Sequence, residues 1–223
     1  MSSTVVAIDG PAGAGKSTVA RMLAARLGIS YINTGSLYRA LALAAVESGL
    51  DLHADIPETF LSAQKLEFRG ETLLLNGRDP GNALRSPECA ANASLISKQP
   101  KVREFLLPVQ RDAARHQWIV MEGRDIGTVI FPDAKIKFFV TASLEERARR
   151  RLAQSGEVMS GADFASVVEE IRRRDEQDSK RETAPLRPAE DAVMVDTTGL
   201  SIDEVVKLLA DHCAKSGVNS ARD

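Results

Sequence analysis

Cysteine is nearly absent: Cys89 and Cys213 are the only thiols in 223 residues. Two distant thiols make neither a C-x-x-C pair nor a disulfide framework. They read as small apolar fillers in a reducing compartment. Histidine is equally scarce. His53, His116 and His212 show no metal-ligand spacing, and the His212-Cys213 pair reads as a helix end rather than a ligand pair. No apolar run approaches the roughly 18 residues of a membrane span, so no transmembrane helix is expected. The start, MSSTVVAIDGP, lacks the basic region and long apolar core of a secretory signal. Neither sign of charge dominates. A formal net charge of -2 gives no global pull toward nucleic acid or an anionic membrane. There is no internal repeat, low-complexity segment, exposed apolar heptad or interface stripe. A cytoplasmic protein is the expectation and, with no interface stripe, a monomer.

With 43% hydrophobic and 27% charged residues, the composition suits a soluble folded chain of one sizeable domain with inserted subdomains. TVVAI reads as a buried strand, and Lys16 to Leu27 as a helix closed by Gly28. ISYIN is a second strand, and Ser36 to Ser48 a helix stopped by Gly49. KLEFRGETLLLNGRD reads as a hairpin turning at RGE, followed by an NG turn. SPECAANASLISKQPKVREFLLPVQRDAARHQ reads as helical, interrupted by Pro100 and Pro108. Strands return at WIVME, KIKFFV and AVMVD. Helices are expected over SLEERARRRLAQSG, ADFASVVEEIRRRDEQD and from Ser201 to about Lys215. Ser143/Glu146 and Ser201/Glu204 have capping-box spacing. The tail SGVNSARD is polar and expected to fray. Five short apolar strands alternating with helices predict an α/β fold with a five-stranded, mostly parallel sheet flanked by helices.

The sharpest local signal is Gly10-Pro11-Ala12-Gly13-Ala14-Gly15-Lys16-Ser17-Thr18, which fits G-x-x-x-x-G-K-[ST] between a strand and a helix. The glycines let backbone N–H groups curl around phosphate oxygens, and the following helix adds its positive end. Lys16 brings a point charge to the β and γ phosphates. Ser17 is the candidate magnesium ligand. Nucleoside triphosphate binding follows. No Asn-Lys-x-Asp segment reads guanine here, so a kinase of small metabolites is the expected class.

Three further stretches concern the phosphate acceptor. NTGSLYR places Tyr38 and Arg39 beyond the second strand, where ligands sit in open α/β sheets. MEGRDIGTVIFPDA ends the third strand with Glu122, placed to orient magnesium-bound water, and then turns through Arg124 and Asp125. Arginines crowd the late chain. Glu145–Arg149, Glu146–Arg150, Glu169–Arg173 and Glu170–Arg174 have i, i+4 spacing, so about half of these arginines read as solvated helix faces. QSGEVMSGAD between the two arginine helices reads as a lid hinge.

Together IDGPAGAGKST, NTGSLYRALALAA, EGRDIGTVIFPDA and RRRDEQDSKRETAPLRPAEDAVMVDTT resemble the bacterial cytidylate kinase family of nucleoside monophosphate kinases, over essentially the whole chain. The resemblance implies a P-loop kinase fold. Its core would span about 1–50, 117–147 and 190–215, with a nucleotide-monophosphate-binding insert over about 51–116. A lid with flanking arginine helices would span about 148–189. It implies phosphoryl transfer from ATP to CMP or dCMP with magnesium. Acceptor-binding positions would be Thr34, Tyr38, Arg39, Ser94, Arg103, Arg124, Asp125, Arg174, Asp178 and Arg181. Arg39, Arg124 and Arg174 would lie near phosphates or ribose, and Asp178 would hold the ribose hydroxyls. Ser94, Arg103, Asp125 and Arg181 would face the cytosine. Lys16, Arg124 and Arg174 would be the catalytic groups. Asn33 and Glu122 stand where the family often has Asp, and neither change removes an acceptor oxygen.

An anionic phosphate acceptor needs no general base. The obstacle is repulsion between polyanions, which arginines and magnesium answer. Asp125 could accept from the cytosine N4 amino group and repel uracil O4, or it could only position Arg124 through an ion pair. A kinase of UMP, AMP or shikimate, and an ATP-binding switch without transfer, remain as alternatives.

Overall fold

The computed structural model describes residues 3–115, 117–154, 158 and 161–218. In chain order, β1 (Ser3–Asp9) leads into α1 (Lys16–Leu27), and β2 (Ser30–Asn33) into α2 (Thr34–Glu47). A layer follows that lies outside the main sheet: α3 (Glu58–Ala63), the hairpin β3 (Leu66–Arg69) and β4 (Thr72–Leu75), α4 (Pro87–Ile96) and α5 (Pro100–Asp112). Then come β5 (Ile119–Gly123), β6 (Ala134–Thr141), α6 (Leu144–Ala153), α7 (Phe164–Lys180), β7 (Val193–Asp196) and α8 (Ile202–Lys215). The main sheet has the order β2-β5-β1-β6-β7, and every pairing in it is parallel.

Both faces of this sheet are covered, so its strands are apolar at successive positions rather than alternating. Val6 and Ile8 of β1 pack with Val120, Phe138, α1 and α8. Val5 and Ala7 point the other way, onto Ile32, Ile119, Met121, Ile126 and Ile130. A separate cluster joins Leu37, Leu41 and Ala45 of α2 to Leu61, Leu66, Leu73, Ile96, Val102 and Leu106. The layer between β2 and β5 is thus built on one face of α2. Ala148, Val167 and Ile171 join α6 to α7.

Several sequence expectations need correction. α2 begins at Thr34, directly after β2, and not at Ser36. Pro100 opens α5 at its first turn, but Pro108 lies within that helix without ending it. Pro108 is exposed while Val102, Leu106 and Gln110 hold the other face in the core, so packing overrides the lost hydrogen bond. Ser201 and Glu204 form the full capping box. Ser143 forms only half of one: its hydroxyl caps Glu146 N, while Ser143 N donates to Thr198 Oγ1. The Glu146 side chain turns to Arg149 and Arg150 instead. In the tail, Val218 is buried against the first core cluster. Residues 219–223, His116 and half of the QSGEVMSGAD hinge lie outside the described residues.

Candidate active site

The carboxyl ends of β1, β2 and β5 open into one cleft, the place where an open parallel sheet leaves room for a ligand. Its donor-side wall is the glycine loop. Gly15 takes φ +83° to cap α1. Gly10 takes φ +149°, and a Cβ there would lie 2.0 Å from the Val140 carbonyl oxygen. That glycine lets β1 pass β6 and turn. Ala12 through Thr18 line the cleft. Gly10 and Pro11 do not, and they shape the loop from behind. Lys16 is buried to 6% exposure and donates to the Pro11 carbonyl at 2.6 Å.

Two of the late arginines brace this loop. Arg147 donates to the Ala12 carbonyl at 3.0 Å and pairs with Asp175, which accepts from Ala12 N at 3.2 Å. Arg150 holds Thr197 Oγ1 and the Thr197 carbonyl, both at 2.8 Å, and Ala14 O at 3.4 Å. The i, i+4 reading is therefore right for Glu146–Arg150 and wrong elsewhere. Arg149 pairs with Glu146, Arg172 with Glu169, and Arg151 crosses from α6 to Glu170 of α7. Glu170 thus leaves Arg174 to the cleft, where Arg174 Nε is buried with no hydrogen-bond partner among the described residues.

The opposite wall is assembled from α2, α4, α5, the turn after β5, and α7. Thr34, Tyr38, Arg39, Ser94, Arg103, Arg124, Asp125, Arg174, Asp178 and Arg181 all line it. Asp125 is paired with Arg103 of α5, with Arg181 3.7 Å away. Arg124 donates from Nε to Asp178 at 2.9 Å. The ion-pair alternative for Asp125 is thereby corrected: neighbours in sequence, Arg124 and Asp125 take separate partners. Arg39 donates to the Leu84 carbonyl at 3.1 Å, and the Arg103 guanidinium lies over the Tyr38 ring.

Seven basic and three acidic side chains line a cleft in a chain of net charge -2. Burial, reinforced by Arg124 and Arg174, pushes the Lys16 ammonium well below its ordinary range. Burial and the nearby Arg124 bring Arg174 down to about 10. Both shifts mark positive charge held without enough negative charge around it. For Asp178, burial acts upward, but Arg124, Arg174 and Arg181 outweigh it and hold the carboxyl below its usual value.

Four contributors are not evident from the sequence motifs. Asp9 accepts from Ile126 N and Gly127 N, both at 2.8 Å, tying the end of β1 to the turn that carries Arg124 and Asp125. Burial raises its carboxyl to about 6, against those two bonds. The Tyr31 hydroxyl donates to Glu122 and also sits beside Ser17. Asp175 holds Ala12, and Gln177 reaches Ser94. Asp9, Asp175 and Gln177 fall inside stretches that carry the family resemblance, but no spacing rule assigns them these contacts, and Tyr31 shows only as a tyrosine inside an apolar strand.

The cleft can hold a polyphosphate at one end and a smaller polar molecule at the other. Comparison with known proteins fits that division. A family model described as cytidylate kinase matches residues 6–215. A curated cytidylate kinase from Thermosipho melanesiensis is 47% identical over 212 residues, 93% of this chain and 97% of its own length. One from Pseudomonas paraeruginosa is 44% identical, covering 96% of each chain. The crystal structure of an uncharacterized protein from Eubacterium ventriosum matches in fold. It has TM-score 0.55 and 11% identity, and covers 94% of this chain and 98% of its own.

Proposed function

The chain belongs to the cytidylate kinase family, and on that premise we propose how its cleft works. ATP gives its γ-phosphoryl group to CMP or dCMP, yielding ADP and CDP or dCDP. The glycine loop takes the triphosphate. Its backbone N–H groups and the start of α1 face the phosphate oxygens, and Lys16 leaves the Pro11 carbonyl for the β and γ phosphates. Arg39, Arg124 and Arg174 take the acceptor phosphate and the charge that develops during transfer. Asp178 holds the ribose. Ser94, Arg103, Asp125 and Arg181 face the cytosine, with an Asp125 oxygen accepting from N4.

No residue need remove a proton, because the attacking oxygen is already anionic. What the protein supplies is position and positive charge in a space closed to water. Magnesium fits the oxygen donors beside the loop. The Ser17 hydroxyl and Glu122 carboxylate both line the cleft, and magnesium is commonly held by one or two carboxylates together with substrate phosphates. Bound there, it would neutralise phosphate charge. Tyr31 fixes the Glu122 carboxylate for that role. We read the layer over about 51–116 as the acceptor-binding insert and about 148–189 as the lid region on a single core. The protein acts as a cytoplasmic monomer on small molecules, and no helix among the described residues is long and apolar enough to cross a membrane.

The observation that carries this reading is the surplus of cations converging on one cleft, with Lys16 and Arg174 in no ion pair among the described residues. The test is ADP release from magnesium and ATP with CMP, dCMP, UMP, AMP or shikimate as acceptor. CMP and dCMP should drive it best. ADP release that ignores the acceptor would replace transfer by simple ATP hydrolysis.

A further inference from the structure

Gln177 lies on α7 between Arg174 and Asp178, yet its side chain leaves that helix and reaches α4. Its Nε2 donates to Ser94 Oγ at 2.8 Å and to the Ser94 carbonyl at 3.1 Å. A carbonyl can only accept, so the carbonyl contact fixes which end of the amide faces Ser94. The same carbonyl also takes the Ser97 hydroxyl hydrogen at 2.9 Å. The Ser94 hydroxyl therefore already accepts one hydrogen from Gln177. Its own hydrogen has no acceptor among the described residues, although Ser94 lines the cleft.

We infer that Gln177 is a positioning residue that holds the Ser94 hydroxyl as a hydrogen-bond donor toward the acceptor base, and so favours cytosine over uracil. The inference rests on the proposed assignment of Ser94 to the base. Cytosine carries a lone pair at N3 and an acceptor at O2. Uracil carries a hydrogen at N3. A hydroxyl held as donor pairs with cytosine N3 but meets uracil N3–H with its own hydrogen. The mismatch leaves polar groups unpaired in a closed site, which is the strong form of discrimination. This reading is independent of Asp125, whose partner is the amino group at position 4. It also joins the helix that carries Arg174 and Asp178 to the layer that carries Ser94, so the donor geometry forms only when those two elements are together.

Gln177→Glu separates this from a merely structural bridge. A carboxylate accepts the Ser94 hydrogen and turns the hydroxyl around, so that its lone pairs face the base. Gln177→Met keeps the length and removes the bridge. The readout is kcat/KM for CMP divided by that for UMP, with melting temperature recorded beside it. The ratio should fall about tenfold in Gln177→Glu, the scale of one hydrogen bond, and by less in Gln177→Met. In Ser94→Ala, adding Gln177→Glu should leave the ratio where Ser94→Ala alone put it. Equal proportional losses with both acceptors would overturn the inference, as would a further change of ratio in the double variant. Wild-type protein run alongside keeps the two claims apart. If it fails to use CMP, the proposed function has failed. If it uses CMP and the ratio ignores Gln177, only this inference has.

Discussion

Where phosphate is to be held, Lys16 of the glycine loop rests on a backbone carbonyl, and across from it Arg174 Nε has no partner among the described residues. At the base-facing end, Arg103 pairs with Asp125, and Arg181 lies 3.7 Å from Asp125 and 3.9 Å from Asp178. The two ends hold the same kind of side chain with different amounts of counter-charge beside it. Cations without a counter-charge are costly to bury and await a polyanion. Arg103 is compensated by Asp125. Arg181, whose Nη2 makes no hydrogen bond among the described residues, is only partly so, and with Asp125 they present donors and acceptors suited to an uncharged base. The first arrangement supplies force on phosphate and the second supplies selection. It follows that removing charge should have opposite effects on stability at the two ends.

The largest effect is expected at Lys16. Lys16→Met should lower kcat by about 10³-fold, the upper range for losing one preorganised electrostatic group. Its melting temperature should nevertheless rise, because a buried ammonium whose charge is disfavoured has become apolar. Calorimetry and steady-state kinetics on one preparation check both. Asp125→Asn should act the other way on stability. It leaves Arg103 and Arg181 without their shared carboxylate, a loss on the order of 3 kcal/mol. A melting temperature equal to wild type would mean that the far end is not held by its ion pairs.

Arg39 comes next. Losing a charge-assisted contact to the acceptor phosphate costs about 1.5–3 kcal/mol, so Arg39→Ala should cut kcat/KM for CMP roughly ten- to hundredfold. The Michaelis constant for ATP should stay near its wild-type value. If ATP suffers more than CMP, Arg39 belongs to the donor end.

Asp9 gives the smallest effect, and one that depends on pH. Its carboxylate accepts two backbone N–H groups, and protonation near pH 6 leaves one of them with no acceptor. Activity with CMP should therefore fall as pH drops through about 6. Stability should move oppositely for this group. Its folded value lies above the ordinary 3.8, so the folded state holds the proton more tightly. This contribution to stability is present at low pH and is lost as pH rises through about 6. The CMP phosphate also titrates near pH 6, so Asp9→Asn is the control. Only the substrate's titration should remain in its rate profile, and the difference in melting temperature from wild type should vary between pH 4 and 7.

The two ends also differed in how far the sequence exposed them. The loop is nine consecutive residues between a strand and a helix, and its geometry follows from local rules. The strands and most helix ends were legible for the same reason. The far end draws on five elements, and no spacing rule links Arg103 to Asp125 or Arg124 to Asp178. The family resemblance points to those positions, and nothing in the sequence points to their partners. Helical spacing assigns Glu170 to Arg174, but α7 packs on α6 and Glu170 takes Arg151 instead. Asp9 meets Gly127 across 118 residues and Arg147 meets Ala12 across 135. Such contacts exist only once the sheet order is set. Pro108 departs from the local rule for a related reason, since burial of one face keeps α5 continuous past it.

The division between a charge-only end and a base-reading end is tested most directly by one quantity, the ratio of kcat/KM for CMP to that for UMP. It should be measured in wild type, Asp125→Asn, Arg39→Ala and Lys16→Met. The account predicts a lower ratio in Asp125→Asn, because an amide can donate to uracil O4 as well as accept from cytosine N4. It predicts an unchanged ratio in Arg39→Ala and Lys16→Met, however slow they become. An unchanged ratio in Asp125→Asn, or an altered one in Lys16→Met, would contradict it.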